Sequence, residues 1–219
     1  GMSVDEDRFR ALVLQQRETA RASRKNAGAD AWAGDSDVLD DIAKTEFVGY
    51  TGMKATAKVT AIVKDGARVE AVETGDDIVF TLDRTSFYAE SGGQVGDTGV
   101  ITNDSCTIRV LDTTKNAAGV FIHKAVVEEG FLREGDTVEA VVDVERRRAI
   151  MRNHTAAHLL QAALRSVLGD HVEQAGQLVN ENAVRFDFTH FSALTDEELL
   201  AVENLVNEKI LEDIKVECR

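Results

Sequence analysis

Val144-Glu145-Arg146-Arg147-Arg148-Ala149-Ile150-Met151-Arg152-Asn153-His154-Thr155-Ala156-Ala157-His158 is where this chain changes period. Before it, apolar residues come in short β-branched runs. From Val144 onward Ile150, Met151, His154, Ala157, His158, Gln161 and Leu164 recur at helical spacing, and Leu168-Gly169 supplies a natural stop. A β-rich stretch that gives way to a long helix sets the fold class as α+β.

Between Phe47 and Asp143 the runs are Thr56 to Val63, Arg68 to Val72, Ile78 to Leu82, Thr107 to Leu111, Val120 to Lys124 and Thr137 to Val142. Turn signals such as Lys64-Asp65-Gly66, Glu73-Thr74-Gly75-Asp76 and Glu134-Gly135-Asp136 separate them, and this short regular spacing predicts a small β-barrel or a sandwich. Upstream, Phe9, Leu12, Val13, Gln16 and Ala20 give an amphipathic helix over Val4 to Asn26. A linker rich in Ala, Gly, Asp and Ser follows from Gly28 to Asp41, with a lone Trp32. Downstream, Val179 to Phe188 reads as strands. A last helix begins at Thr195, where Glu198 completes a capping box, and runs through Leu199, Val202, Val206 and Ile210. Three regions result: residues 1–45 as helical connector and linker, 46–143 as the β-barrel, and 144–219 as an α+β subdomain.

Composition narrows the partners. The 219 residues carry 39 acidic against 25 basic side chains, a net charge of −14. That balance excludes a broad basic surface, so any grip on nucleic acid is local or comes from elsewhere. No apolar run approaches the roughly 20 residues that span a bilayer, and no secretory leader is legible, so the expectation is a cytoplasmic protein with no membrane partner. Cys106 and Cys218 form neither a disulfide framework nor a metal knuckle, in keeping with a reducing compartment.

Two motifs carry chemistry. His154 and His158 stand four residues apart on a helix, so both imidazoles face one side and can share a metal; the same spacing also arises from two ordinary helix histidines. Thr155 occupies the place where zinc peptidases of the His-Glu-x-x-His type carry glutamate, which argues against that class. The second motif is Thr85-Ser86-Phe87-Tyr88-Ala89-Glu90-Ser91-Gly92-Gly93-Gln94-Val95-Gly96-Asp97-Thr98-Gly99. Its glycines permit tight turns and close backbone approach, and a bulged β-hairpin explains them equally well. It fits neither a phosphate-binding loop nor a dinucleotide fingerprint.

The segments Ser86 to Asp97, Arg152 to Leu160, His171-Val172-Glu173-Gln174-Ala175-Gly176 and Arg185-Phe186-Asp187-Phe188 together resemble, in this order, the editing region of bacterial alanyl-tRNA synthetases. The resemblance covers nearly the whole chain, with the first helix and linker matching the connector that precedes editing in that family. It implies a hydrolase that removes serine or glycine wrongly attached to the tRNA for alanine, acting at the acceptor end, within an enzyme whose remaining domains attach alanine. It also implies zinc, held by His154 and His158 with a Cys and a His from a later motif. That motif is not in this sequence, and Cys218 is not assigned as a ligand, so the expectation is a truncated site with weak or absent zinc and an inactive fragment. Gln174 matches a position lining the family's pocket and Gln94 belongs to the glycine-rich motif; an amide orients groups but is no general base, so both are assigned to positioning.

Two departures stand out. Ala157 replaces a threonine common in the family, which shifts recognition of a serine hydroxyl toward Thr155; Ser86 replaces a common proline. Of the arginines, Arg148 and Arg152 are candidates for tRNA contact, against the alternative that Arg146, Arg147, Arg148 and Arg152 form a solvated face. His123, His171 and His190 are not expected to be ligands, and Arg185 with Asp187 is expected to be a structural ion pair. The competing function is a noncatalytic tRNA-binding or structural module whose metal site has decayed.

Overall fold

A computed structural model describes residues 37–215 and, in addition, Arg8, which is helical. The rest of the expected first helix, the linker up to residue 36 and Cys218 lie outside the described residues.

A 3-10 turn at Asp37–Leu39 leads into β1 (Glu46–Phe47), β2 (Lys54–Lys64), β3 (Ala67–Arg68), β4 (Ala71–Glu73), β5 (Asp77–Leu82) and β6 (Arg84–Thr85). After the glycine-rich segment come β7 (Gly99–Asn103), β8 (Cys106–Lys115), β9 (Phe121–Arg133) and β10 (Thr137–Val142). Then follow α1 (Val144–Leu168), the hairpin β11 (Gln174–Val179) and β12 (Val184–Phe188), and α2 (Asp196–Leu211). The class is α+β, as the change of period implies.

The β region closes on itself. Strands run β10-β7-β8-β9-β5-β2, and β10 also pairs antiparallel with β2, so the expected barrel forms with every rung antiparallel. Strands β7, β8 and β9 form a meander and β10 returns beside β7, a Greek-key order. Alternation drives this closure: Val138, Ala140 and Val142 of β10 and Ile108 and Val110 of β8 turn inward with Ile78, Phe80 and Leu82. Strand β5 is buried on both faces, because Val79 packs outward against Leu39, Ala61 and Val63 under the 3-10 turn.

Local chemistry explains where sequence and structure part. The run Arg68 to Val72 is two strands, since β3 turns back on β2 while β4 pairs with β9. Strand β9 extends well past Lys124, paired with β8 through two register shifts as far as Gly130, whose φ of 79 allows a crossing that a Cβ would block against the Ser105 carbonyl. Strand β7 hides directly behind the glycine motif. Strand β11 starts at Gln174, ahead of the expected Val179, because β12 supplies its partner across a bulge at Gln174/Gly176 despite the weak strand preference of Gln-Ala-Gly-Gln.

Helix α1 begins where read: the Asp143 side chain accepts from the Arg146 backbone N–H at 3.0 Å, and Gly169, at φ 113, caps the end. Thr195 caps α2 with the reciprocal Glu198 contact of a capping box. Ala163 and Leu164 of α1, Val202 of α2 and, from the segment between α1 and β11, Val172 make one apolar cluster. A second, from Ile150, Ala157 and Val179 with Val95 packed on it, ties the glycine-rich segment to α1 and the hairpin.

Candidate active site

The site is assembled around the first turns of α1. Arg147, 5% exposed, meets Asp97, 1% exposed, through Nε to both carboxylate oxygens at 2.8 Å and through Nη2. The same guanidinium donates from Nη2 to the Ser86 carbonyl at 2.9 Å and from Nη1 to the Gly49 carbonyl at 3.4 Å. Asp97 also accepts from the Tyr88 backbone N–H at 2.7 Å, and its own N–H donates to the Tyr88 carbonyl at 2.9 Å. One buried ion pair thus closes the glycine-rich segment into a loop and bolts it to the helix. The arginine run is not a uniform solvated face: Arg147 is a core anchor, and Arg146 donates to the Gly96 carbonyl at 2.8 Å and pairs with Glu181 at 3.2 Å. Successive helical residues diverge by about 100°, so adjacent arginines meet different surroundings.

The tip of the loop is a minimal hairpin closed across the positive-φ pair Gly92-Gly93. Ser91 and Gln94 exchange backbone hydrogen bonds of 3.1 and 3.0 Å, and Gln94 bridges in parallel to Val179 of β11. Gly93, at φ 81, donates no side chain because a Cβ there would lie 2.5 Å from the Gln177 carbonyl oxygen. Gly96 and Gly99 are equally tight against the Thr113 and Val141 carbonyls, whereas Gly92 is required by its φ of 59 alone. The Gly93 carbonyl accepts from Val179 N–H at 2.7 Å, and Gly92's carbonyl accepts from the Gln177 amide.

The loop delivers Gln94 to the histidines. Gln94, 6% exposed, places Oε1 2.5 Å from His154 Nδ1. A carbonyl oxygen only accepts, so His154 donates from Nδ1 and keeps a lone pair on Nε2. His158 stacks on His154 with centroids 5.1 Å apart and planes 17° apart, and is exposed. Burial, and after it the His158 imidazole, hold His154 below the usual histidine value, which favours the neutral, electron-donating form. Two imidazoles on one helix face, one oriented by an amide, fit half of a tetrahedral zinc set. Among the described residues no group of three His, Cys, Asp or Glu could hold a metal, so further donors would come from outside them.

Other expected positions are more dispersed. Gln174 stands exposed at the start of β11, at the other end of the strand from Val179. Thr155 turns into the cleft between α1 and α2 beside Arg152, Leu159, Lys209 and Ile210, where its hydroxyl donates to the Met151 carbonyl at 3.1 Å. Arg148 and Arg152 are exposed. Arg185 and Asp187 form an exposed pair at 2.7 Å. His123 lies in the barrel core, while His171 and His190 bond to each other at 2.9 Å on the surface.

The residue missed by sequence reasoning is Arg147. Its only hint is an aspartate closing the glycine motif and a cation opening a helix, and nothing at that separation links them.

A family model described as tRNA synthetases class II (A) matches residues 1–146. Over 220 aligned residues the chain is 50% identical to an alanine–tRNA ligase of Acetivibrio thermocellus, covering 100% of this chain and 25% of that protein. An alanine–tRNA ligase of Thermoanaerobacter sp. strain X514 is 48% identical over 99% of the chain and 24% of its own length. One of Bacillus velezensis is 44% identical over 98% and 24%. The chain spans about a quarter of the length of the curated relatives it matches.

Proposed function

Because this chain belongs to the class II (A) tRNA synthetases, we propose that it is the editing part of an alanine–tRNA ligase, hydrolysing seryl or glycyl esters from the acceptor end of the tRNA for alanine. The observation that carries this reading is the Gln94–His154–His158 arrangement, in which the glycine-rich loop and α1 jointly present an oriented imidazole pair.

His154 and His158 would hold a zinc ion together with donors from outside the described residues. When bound, zinc supplies positive charge that can polarise the ester carbonyl or anchor the substrate amine. Gln94 fixes the His154 tautomer and keeps Nε2 facing outward; Gln174 positions the substrate from the hairpin. Thr155 retains acceptor lone pairs for the extra hydroxyl of serine, the group by which serine differs from alanine. Arg148 and Arg152, exposed on the same helix, meet the phosphates of the acceptor end. Hydrolysis adds water across the ester, returning the free amino acid and the tRNA 3′ hydroxyl.

The deciding experiment follows release of serine from seryl-tRNA by a full-length ligase carrying this segment, with and without His154→Ala and His158→Ala. Loss of release with alanine activation retained is expected. Undiminished release in the double variant would refute the assignment and favour a noncatalytic RNA-binding or structural module. Zinc held by His154 and His158 alone is expected to bind weakly and to support little deacylation.

A further inference from the structure

A second feature lies on the barrel rim next to the site and has no part in the chemistry above. Phe47 of β1 stacks on Phe121 at 5.4 Å and 7°, and meets Tyr50 edge-on at 4.9 Å and Tyr88 at 6.2 Å. Tyr50 is 86% exposed, an unusual position for a ring with an apolar body. Next to it, Phe47 and Phe121 line a cleft of about 650 Å³ together with Lys44 and Lys115. Lys115 lies 5.6 Å over the Phe121 ring, Lys44 lies along Gly119, and neither lysine is ion-paired among the described residues. Glu46, the one carboxylate in the lining, is taken up by Arg84 at 2.5 Å.

Two cations with no ion-pair partner among the described residues, beside the half-buried Phe47 and next to the exposed Tyr50 ring, stand out in a chain of net charge −14. Free ring faces take nucleobases and neighbouring ammonium groups take phosphates, and the pairing of the two is the chemistry of single-stranded nucleic-acid binding. The patch is also continuous with the candidate site. Gly49, whose carbonyl is held by Arg147, has no room for a Cβ against the Ser86 carbonyl, which fixes the turn that carries Tyr50. Tyr88 N–H is held by Asp97, which closes the loop that carries Ser91 and its bridge partner Gln94.

We propose that Tyr50, Phe47, Lys44 and Lys115 form a binding track for unpaired nucleotides of the RNA, leading its 3′ end toward Gln94 and His154. This rests on the functional reading above, which supplies the RNA; the track itself stands on the rings, the lysines and their continuity with the loop.

The test uses this full chain and a fluorescein-labelled tetraribonucleotide, with a blunt RNA duplex of equal charge as the comparison, read by anisotropy. The single strand is expected to bind better than the duplex. Tyr50→Ala should weaken single-strand binding about tenfold, the size of one base–aromatic stack, while Tyr50→Trp preserves it. Lys44→Ala with Lys115→Ala should lower the slope of log affinity against log salt by about 1.4. Circular dichroism confirms folding of each variant. Absence of single-strand binding, equal binding of the duplex, or variants that bind like the unaltered chain would overturn the track. Because binding is read apart from hydrolysis, a track that binds in a protein that never deacylates seryl-tRNA refutes the editing reading alone. Conversely, histidine-dependent deacylation unchanged by Tyr50→Ala and the lysine variants refutes the track alone.

Discussion

Acidification should loosen the barrel through His123. That side chain is fully buried, stacked on Phe80 at 5.1 Å and edge-on to Phe87 at 5.5 Å. Its Nδ1 donates to the Phe80 carbonyl at 3.4 Å, while Nε2 accepts from the Thr85 hydroxyl at 2.9 Å, whose oxygen in turn accepts from Phe87 N–H at 3.2 Å. A single neutral tautomer satisfies all three contacts. Protonation would give Nε2 a hydrogen aimed at the Thr85 hydroxyl and place a charge among apolar rings, so burial pushes the imidazole from 6.5 down to about 4, with the Phe80 carbonyl offsetting a little of the shift. The unfolded chain takes up a proton near pH 6.5 and the folded one resists until about 4. Between those values the unfolded state binds more protons, and stability falls as pH falls. The loss amounts to about 2 kcal/mol at pH 5 and levels off near about 3 kcal/mol below pH 4. Urea unfolding at pH 7.5 and pH 5 measures it, with His123→Gln as the non-titrating reference. The acid-induced loss should be about 2 kcal/mol smaller in the variant. Identical losses in both proteins, or a His123 ring signal titrating near 6.5 in the folded state, would refute the reasoning.

Three further outcomes are expected. Asp97→Asn strands the Arg147 guanidinium in a buried setting and should cost about 3–5 kcal/mol in chemical denaturation, and Asp97→Leu combined with Arg147→Met should not restore it, because the Ser86 and Gly49 carbonyls and the Tyr88 N–H lose their partners. Gly93→Ala forces a positive-φ alanine against the Gln177 carbonyl, and should cost at least about 2 kcal/mol and raise hydrogen exchange at Val179 and Val95, whose amides are bonded across that junction. Thr195→Ala removes the α2 cap for about 1 kcal/mol, seen as a lower melting temperature with little change at the barrel.

What could be read in advance follows the range of each interaction. Helix α1 and its start, the capping box of α2 and strand β10 come from signals within a few residues, and those elements appear where read. Closure of the barrel depends on β10 meeting β2, a pairing between the ends of the region that no local pattern encodes. Likewise β11 is a strand because β12 lies beside it, not because Gln174-Ala175-Gly176-Gln177 prefers to be one. At the site, the shared face of His154 and His158 follows from helical spacing alone. The partnership of His154 with Gln94 does not, since it exists only when the loop and the helix are docked. The arginine run misled for the same reason: charge is visible in sequence, but which of Arg146, Arg147 and Arg148 turns inward depends on where Asp97 lies.

The Asp97–Arg147 pair also orders events in time. Its members are 50 residues apart in the chain, so during synthesis the glycine-rich segment leaves the ribosome well before the cation that anchors it. Until then the Asp97 carboxylate keeps its hydration shell, and the loop has no counter-charge to fold around. Closing so long a stretch is entropically costly and slow compared with forming the β8–β9 hairpin or the first turns of α1. Gln94 has its partner only once α1 has formed as far as His154, so an unfinished chain that lacks this helix does not display the imidazole pair in its oriented form.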